Sequence, residues 1–277
     1  MSVGLHIVVC AGIVPDPLQT LEPVISPSGP ALKNEMALPA VLDPWAASAL
    51  YEAAHLVAKH PAENSHPSKL WLVSLGPKAK LQQVMMTVAQ KVRFELVPVD
   101  GPMGGFADAH ATAAALADAI AAIPGLDRRR LLLFGGWESA TRGAGITLQV
   151  IGERLGITEQ FQGVDQIDLR DDGSFEVRER VEGGKHQVSV CTGAPAVLGW
   201  ATGNLPEPRN NPQIGMANMR SLMPALQKAK PAALNGNGVH YASVTLPKQQ
   251  RTTRVVKDMS PEDIAAELAA WIANDSL

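Results

Sequence analysis

The residues best placed to do chemistry fall in one glycine-dense run, Gly135-Gly136-Trp137-Glu138-Ser139-Ala140-Thr141-Arg142-Gly143-Ala144-Gly145-Ile146-Thr147. It holds hydroxyl side chains and one cation, and it leads into a segment with helical spacing. Bare backbone N–H groups ahead of a helix, reinforced by the helix dipole, favour a phosphate. The run matches neither G-x-G-x-x-G nor G-x-x-x-x-G-K-[ST]. Taken alone it reads equally well as a connection that binds nothing. Three further segments end apolar runs or open a helix: Cys10-Ala11-Gly12, Leu75-Gly76-Pro77 and Asp43-Pro44-Trp45.

Catalytic patterns are weaker. The 7 histidines include no His-Glu-x-x-His and no pair at metal-ligand spacing, so no metal site is expected. No G-x-S-x-G elbow occurs. Cys10 could be a nucleophile, but at the end of a buried run it fits better as a small apolar filler. Acidic pairs such as Asp171-Asp172 sit at turns and read as solvated. The expectation is a protein that is not an enzyme in isolation.

Elements must position these segments. Continuous apolar runs over 5–11, 70–75, 94–97 and 131–134 read as strands buried on both faces, and helical patterns follow each. Asp43 caps one helix with Pro44 in its first turn, and the alanine-rich stretch over 108–123 stops at Pro124-Gly125. Four rounds of strand and helix predict an α/β fold, a parallel Rossmann-like sheet with helices on both faces. Extended segments over 164–169, 174–181 and 187–191, separated by Gly-containing turns, predict an antiparallel meander, and 196–199 one more core strand. The Pro-rich stretch over 15–39 reads as a loop or hairpin excursion. From Asn204 the chain is rich in Pro, Asn and Met and reads as irregular as far as 231. A last helix is capped at Ser260 and carries Ile264, Leu268, Trp271 and Ile272 on one face.

Composition bounds the partners. The chain has 277 residues, 46% hydrophobic and 18% charged, with net charge −3, so no field favours nucleic acid or an anionic membrane surface. With only 2 cysteines a disulfide framework is not expected. The amino terminus lacks the features of a signal peptide, and no apolar run approaches the roughly 20 residues that span a bilayer. The expectation is a cytoplasmic protein without membrane insertion.

In this order, the motifs resemble the beta subunits of electron-transferring flavoproteins. Ala194-Pro195-Ala196-Val197-Leu198 stands where that family has Leu-Pro-Ala-Val-Val, and Asn204-Leu205-Pro206-Glu207-Pro208-Arg209 is similar to its Asn-Glu-Pro-Arg. Met223-Pro224 and Lys228-Ala229-Lys230-Pro231 resemble its Leu-Pro and Lys-Ala-Lys stretch. Val73-Ser74-Leu75-Gly76-Pro77, Leu42-Asp43-Pro44-Trp45 and the run over 136–147 align with further family motifs. The tail over 241–271 resembles its carboxyl-terminal arm.

The resemblance implies a heterodimer with a larger alpha subunit that holds most of the redox FAD, while this chain holds AMP. Electrons would pass from a dehydrogenase to a quinone-linked or other acceptor. The implied nucleotide pocket is Cys10, Asp43, Pro44, Trp45, Ala46, Leu75, Gly136, Trp137, Ser139, Thr141, Arg142, Gly143, Ala144, Gly145, Ile146 and Thr147. The implied docking residues are Leu222, Met223 and Pro224, with Met223 as the apolar anchor. The implied domains are 1–203 for the nucleotide-binding body with its meander, 204–231 for the recognition loop, and 232–277 for the arm. Where the family loop carries acids this chain has Arg142, and the flavin-contacting aromatic is replaced by Pro17. The chain therefore reads as a divergent paralogue, and its pocket could suit ADP or a second FAD. The alternative is a nucleotide-binding regulatory protein of the universal-stress type. An ATP-dependent ligase lacks support in any base or metal carboxylate set.

Overall fold

The computed structural model describes residues 4–27, 29–60, 67–102, 107–141, 143–232, 234 and 253–274. The apolar runs form strands as their lack of alternation predicts. β1 (His6–Cys10) is followed by β2 (Ile13–Pro15), by a hairpin of β3 (Pro23–Ser26) and β4 (Gly29–Leu32), and by β5 (Ala40–Leu42), which pairs back on β2. Then come α1 (Pro44–Lys59), β6 (Lys69–Gly76), α2 (Lys78–Val88), β7 (Glu95–Asp100), α3 (Ala109–Ala121), β8 (Leu131–Gly136) and α4 (Thr147–Arg154). β9 (Gln160–Leu169), β10 (Phe175–Val181), β11 (Lys185–Cys191), β12 (Ala196–Trp200), α5 (Pro212–Gln227), β13 (Lys230–Pro231) and α6 (Pro261–Asn274) complete the order.

Among the described residues the central sheet has 9 strands in the order β11-β10-β9-β12-β8-β1-β6-β7-β13. All neighbours are parallel except β9 with β10 and β10 with β11, which make the expected meander. One apolar cluster joins the sheet to α1, α2 and α5, and a second joins its other face to α3 and α4. The fold is α/β with a Rossmann-like core.

One expectation needs correction. Residues 204–231 are irregular only as far as Asn211, whose side chain then caps α5 by accepting from the Gln213 and Ile214 N–H groups, with Pro212 in the first turn. The buried face of α5 is Gly215, Asn218, Leu222 and Leu226, so half of it does not read as apolar. Gly215 sits where an added Cβ would lie 3.3 Å from Gln90, which lets α5 approach the end of α2. Asn218 is buried and its amide donates to the Ala89 and Val92 carbonyls, both at 2.7 Å. Leu222 is only 2% exposed and so is not available to anchor a partner, while Met223 packs against the same core and is half-buried. Pro224 alone of the three docking residues is exposed.

Contacts divide the chain into two units, Met1–Val244 and Thr245–Leu277. In the second, Ser260 caps α6 by accepting the Asp263 N–H at 3.2 Å, and Arg254 pairs with Glu267. Ile264, Leu268 and Trp271 are 42%, 52% and 70% exposed.

At the amino ends of the strands, buried His6 accepts the Asp127 N–H at 2.9 Å and meets Trp71 edge-on at 5.3 Å. Burial, then the charges of Arg130 and Lys69, lower its imidazole from 6.5 to about 4. The fold therefore holds it neutral, and unfolding lets it take a proton. Its contribution is complete above pH 6.5 and is lost as pH falls toward about 4. Urea unfolding across that window should show falling stability. His6→Asn should be less stable at pH 7 and lose less between these two values.

Candidate functional site

β1 lies between β8 and β6, and the chain winds outward from it in both directions. Strand order therefore reverses between β1 and β8, and ligands in open α/β sheets bind beyond the carboxyl ends at such a point. A cavity of about 130 Å³ opens there. Of the expected residues it brings together Cys10, Asp43, Ala46, Leu75, Gly136, Ser139, Thr141 and Thr147. Trp137, Ala144, Gly145 and Ile146 line a second space of about 50 Å³ that shares Gly136, Ser139 and Thr147 with the first. Pro44, Trp45 and Gly143 line neither. Pro44 is exposed on the first turn of α1, Trp45 wedges against Gly136, and Gly143 turns the loop at a φ of 58°. Arg142 lies outside the described residues.

Asp43 organises the site. One carboxylate oxygen accepts the Trp45 N–H at 3.1 Å and caps α1, while the other accepts the Ala140 N–H at 2.9 Å. It thus ties the loop after β8 to the start of α1. The side chain is 2% exposed, and burial raises its pKa against the opposing effect of these hydrogen bonds and of Ser139. Trp137 N–H donates to the Trp200 carbonyl at 2.9 Å, fixing the other side of the loop. The Ser139 and Thr141 hydroxyls are 2.8 Å apart at the rim.

α4 begins at this cavity, since Thr147 and Leu148 line it. Ile146 occupies its N-cap position and its side chain cannot accept a hydrogen bond, so no side chain caps the helix. By contrast Asp43, Asp108 and Asn211 cap α1, α3 and α5. An uncapped helix start keeps its N–H groups for an anion. The floor is apolar, formed by Leu75, Leu116, Leu148 and Ile151. Such a site suits a flat apolar group carrying one anionic tail. Cys10 offers no nucleophile, because burial pushes its thiol up to about 12 and keeps it protonated at neutral pH.

Sequence reasoning missed Thr112 and Leu116. Thr112 and Leu116 come from α3, which also begins at the carboxyl edge of the sheet. The signal that could have found them is the Asp108 cap, one turn before Thr112, which places that helix start beside the switch point. Among the described residues no group of three or more His, Cys, Asp or Glu could hold a metal ion. Among them, too, no helix is long and apolar enough to cross a membrane. Comparison of the sequence with family models and with curated proteins returns no match.

Gly136 is the tightest point of the site. An added Cβ would lie 2.5 Å from Trp45 Cβ and 2.7 Å from the Glu138 carbonyl. Gly136→Ala should cost about 1–3 kcal/mol in denaturant unfolding. Gly12→Ala, which meets nothing within 4 Å, should stay within about 0.5 kcal/mol of wild type.

Proposed function

We propose that this chain is a beta-type subunit of an electron-transferring flavoprotein, with an adenine nucleotide in the cavity between β1 and β8. The observation that carries the reading is the coincidence of site and motif. Eight of the residues that the family resemblance points to line one cavity, at the switch point, beside an uncapped helix start. The base would lie on the apolar floor and the phosphate at the first turn of α4. A cavity of 130 Å³ is smaller than the several hundred Å³ of a full ligand site, so the sugar and phosphate would project to the rim. AMP fits this better than ADP or FAD, because two carboxylates, Asp43 and Glu138, and no cation stand among the described lining residues.

Here the nucleotide is structural, and the redox FAD belongs mainly to the alpha subunit. Electrons would enter from a dehydrogenase and leave to a quinone-linked or other acceptor. The exposed apolar stripe of Ile264, Leu268 and Trp271 supports a partner chain. A second reading, a universal-stress-type nucleotide sensor, gains from the packing of α5, which removes the free loop that a carrier subunit would use.

Three measurements test these readings. Mass spectrometry of ligand released on denaturation should find one adenine nucleotide per chain, and an empty chain sinks both. Thr147→Asp puts a carboxylate at the α4 start, where it favours the helix dipole by about 0.3–1 kcal/mol yet repels phosphate. It should lower bound nucleotide at least about tenfold, a difference of about 1.4 kcal/mol, with no loss of thermal stability in the ligand-free protein. Co-expression with an alpha-type subunit should then give a yellow stoichiometric complex. A nucleotide-bearing chain that binds no such subunit favours the sensor.

A further inference from the structure

A second cavity, sharing no lining residue with the first, lies against the outer face of α1 and has a volume of about 590 Å³. Its floor is Ala54, Val57, Ala58, Leu70 and Val92, and a strap over residues 205–208 forms its opposite wall. That volume falls within the range of small-molecule sites.

The frame is pinned open. Buried Glu52 accepts the Asn204 and Leu205 N–H groups at 2.8 and 3.2 Å and so holds the start of the strap. Glu207 accepts the Tyr51 hydroxyl at 3.3 Å and pairs with Lys91, which holds its middle. Between these anchors α1 presents two small side chains, Ala54 and Ala58, one turn apart, with Val57 beside them.

Charge at the mouth selects the occupant. Glu207 neutralises Lys91, whereas Arg93 is exposed and has no ion pair or hydrogen bond among the described residues. His55 stands at the same rim. The walls offer very few hydrogen-bonding groups. An extended peptide would have to bury its amides without partners, at a cost of about 1–3 kcal/mol each, while an alkyl chain has no polar group to lose.

We propose that this trough is a second ligand site, which binds a medium-chain carboxylic acid with its carboxylate at Arg93 and its alkyl chain between Ala54, Ala58 and the Pro206 and Pro208 rings. The site stands independently of the nucleotide reading. Calorimetric titration of the full chain with decanoate, kept below its micellar concentration, should give saturable one-to-one binding. Decanol, with the same chain and no charge, should bind at least about tenfold more weakly, the effect of one charge-assisted contact worth about 1.4 kcal/mol. Arg93→Glu, a surface change, should erase the preference for acid over alcohol. Ala58→Trp, on the exposed side of α1, should fill the trough and abolish binding of both, with thermal unfolding retained. Absence of saturable decanoate binding overturns the proposal, as does unchanged affinity in Ala58→Trp, or capture of acidic peptides but not decanoate.

Discussion

The site depends on one buried carboxylate. Asp43 N–H donates to the Gly12 carbonyl at 2.9 Å, and its side chain spends both oxygens on backbone N–H groups from two different segments. A buried charge is costly unless hydrogen bonds replace its water. Here those bonds are also the joints between the turn after β1, the start of α1 and the loop after β8. The raised pKa of Asp43 shows that burial outweighs the hydrogen bonds, so the fold retains this group at a net electrostatic cost. What the cost secures is geometry. With Ala140 held to α1, Gly136 is pressed against Trp45 and the loop has one course to the start of α4.

A row of small residues gives that loop something to enclose. Cys10, Gly135 and Gly199 stand side by side at the carboxyl edge, in parallel register. A side chain on Gly135 would meet Leu148 at 3.0 Å, and one on Gly152 would meet Val197 at 2.5 Å. These glycines let α4 lie close to the sheet, and its uncapped first turn reaches the edge beside the cavity. Glycine in a strand or helix weakens it by about 0.5–1 kcal/mol relative to alanine. The chain accepts that weakening where α4 must approach.

The parallel core was legible because buried strands in such a sheet lose their alternation, and runs such as Ile7-Val8-Val9 or Leu131-Leu132-Leu133 carry no other sensible reading. The loop half of the site was legible for the same reason, since it follows directly from the end of β8. The α3 half was not, because Thr112 and Leu116 reach the cavity through tertiary packing that no local pattern records. α5 was hidden differently. Its stripe passes through Gly215 and Asn218, one chosen for closeness to Gln90 and one for the carbonyls at the end of α2. A buried polar residue that satisfies another helix looks like loop composition until the partner is known.

That concealment changes where partner recognition can reside. Leu222 and Leu226 of α5, at 2% and 1% exposure, are consumed by their own core, which leaves Met216, 66% exposed, as the large apolar side chain that this helix presents outward. α6 is the opposite case, with an apolar stripe at helical spacing that its own unit leaves accessible. Helices of about 12–15 residues are marginal in water without a surface to pack on, and α6 has 14. In the proposed carrier, α6 is the element that offers an apolar stripe to a partner chain, while Leu222, one of the residues expected to dock a dehydrogenase, is taken up by the core. The segment after Asn204 is left to a different task, as wall and anchor of the trough on α1.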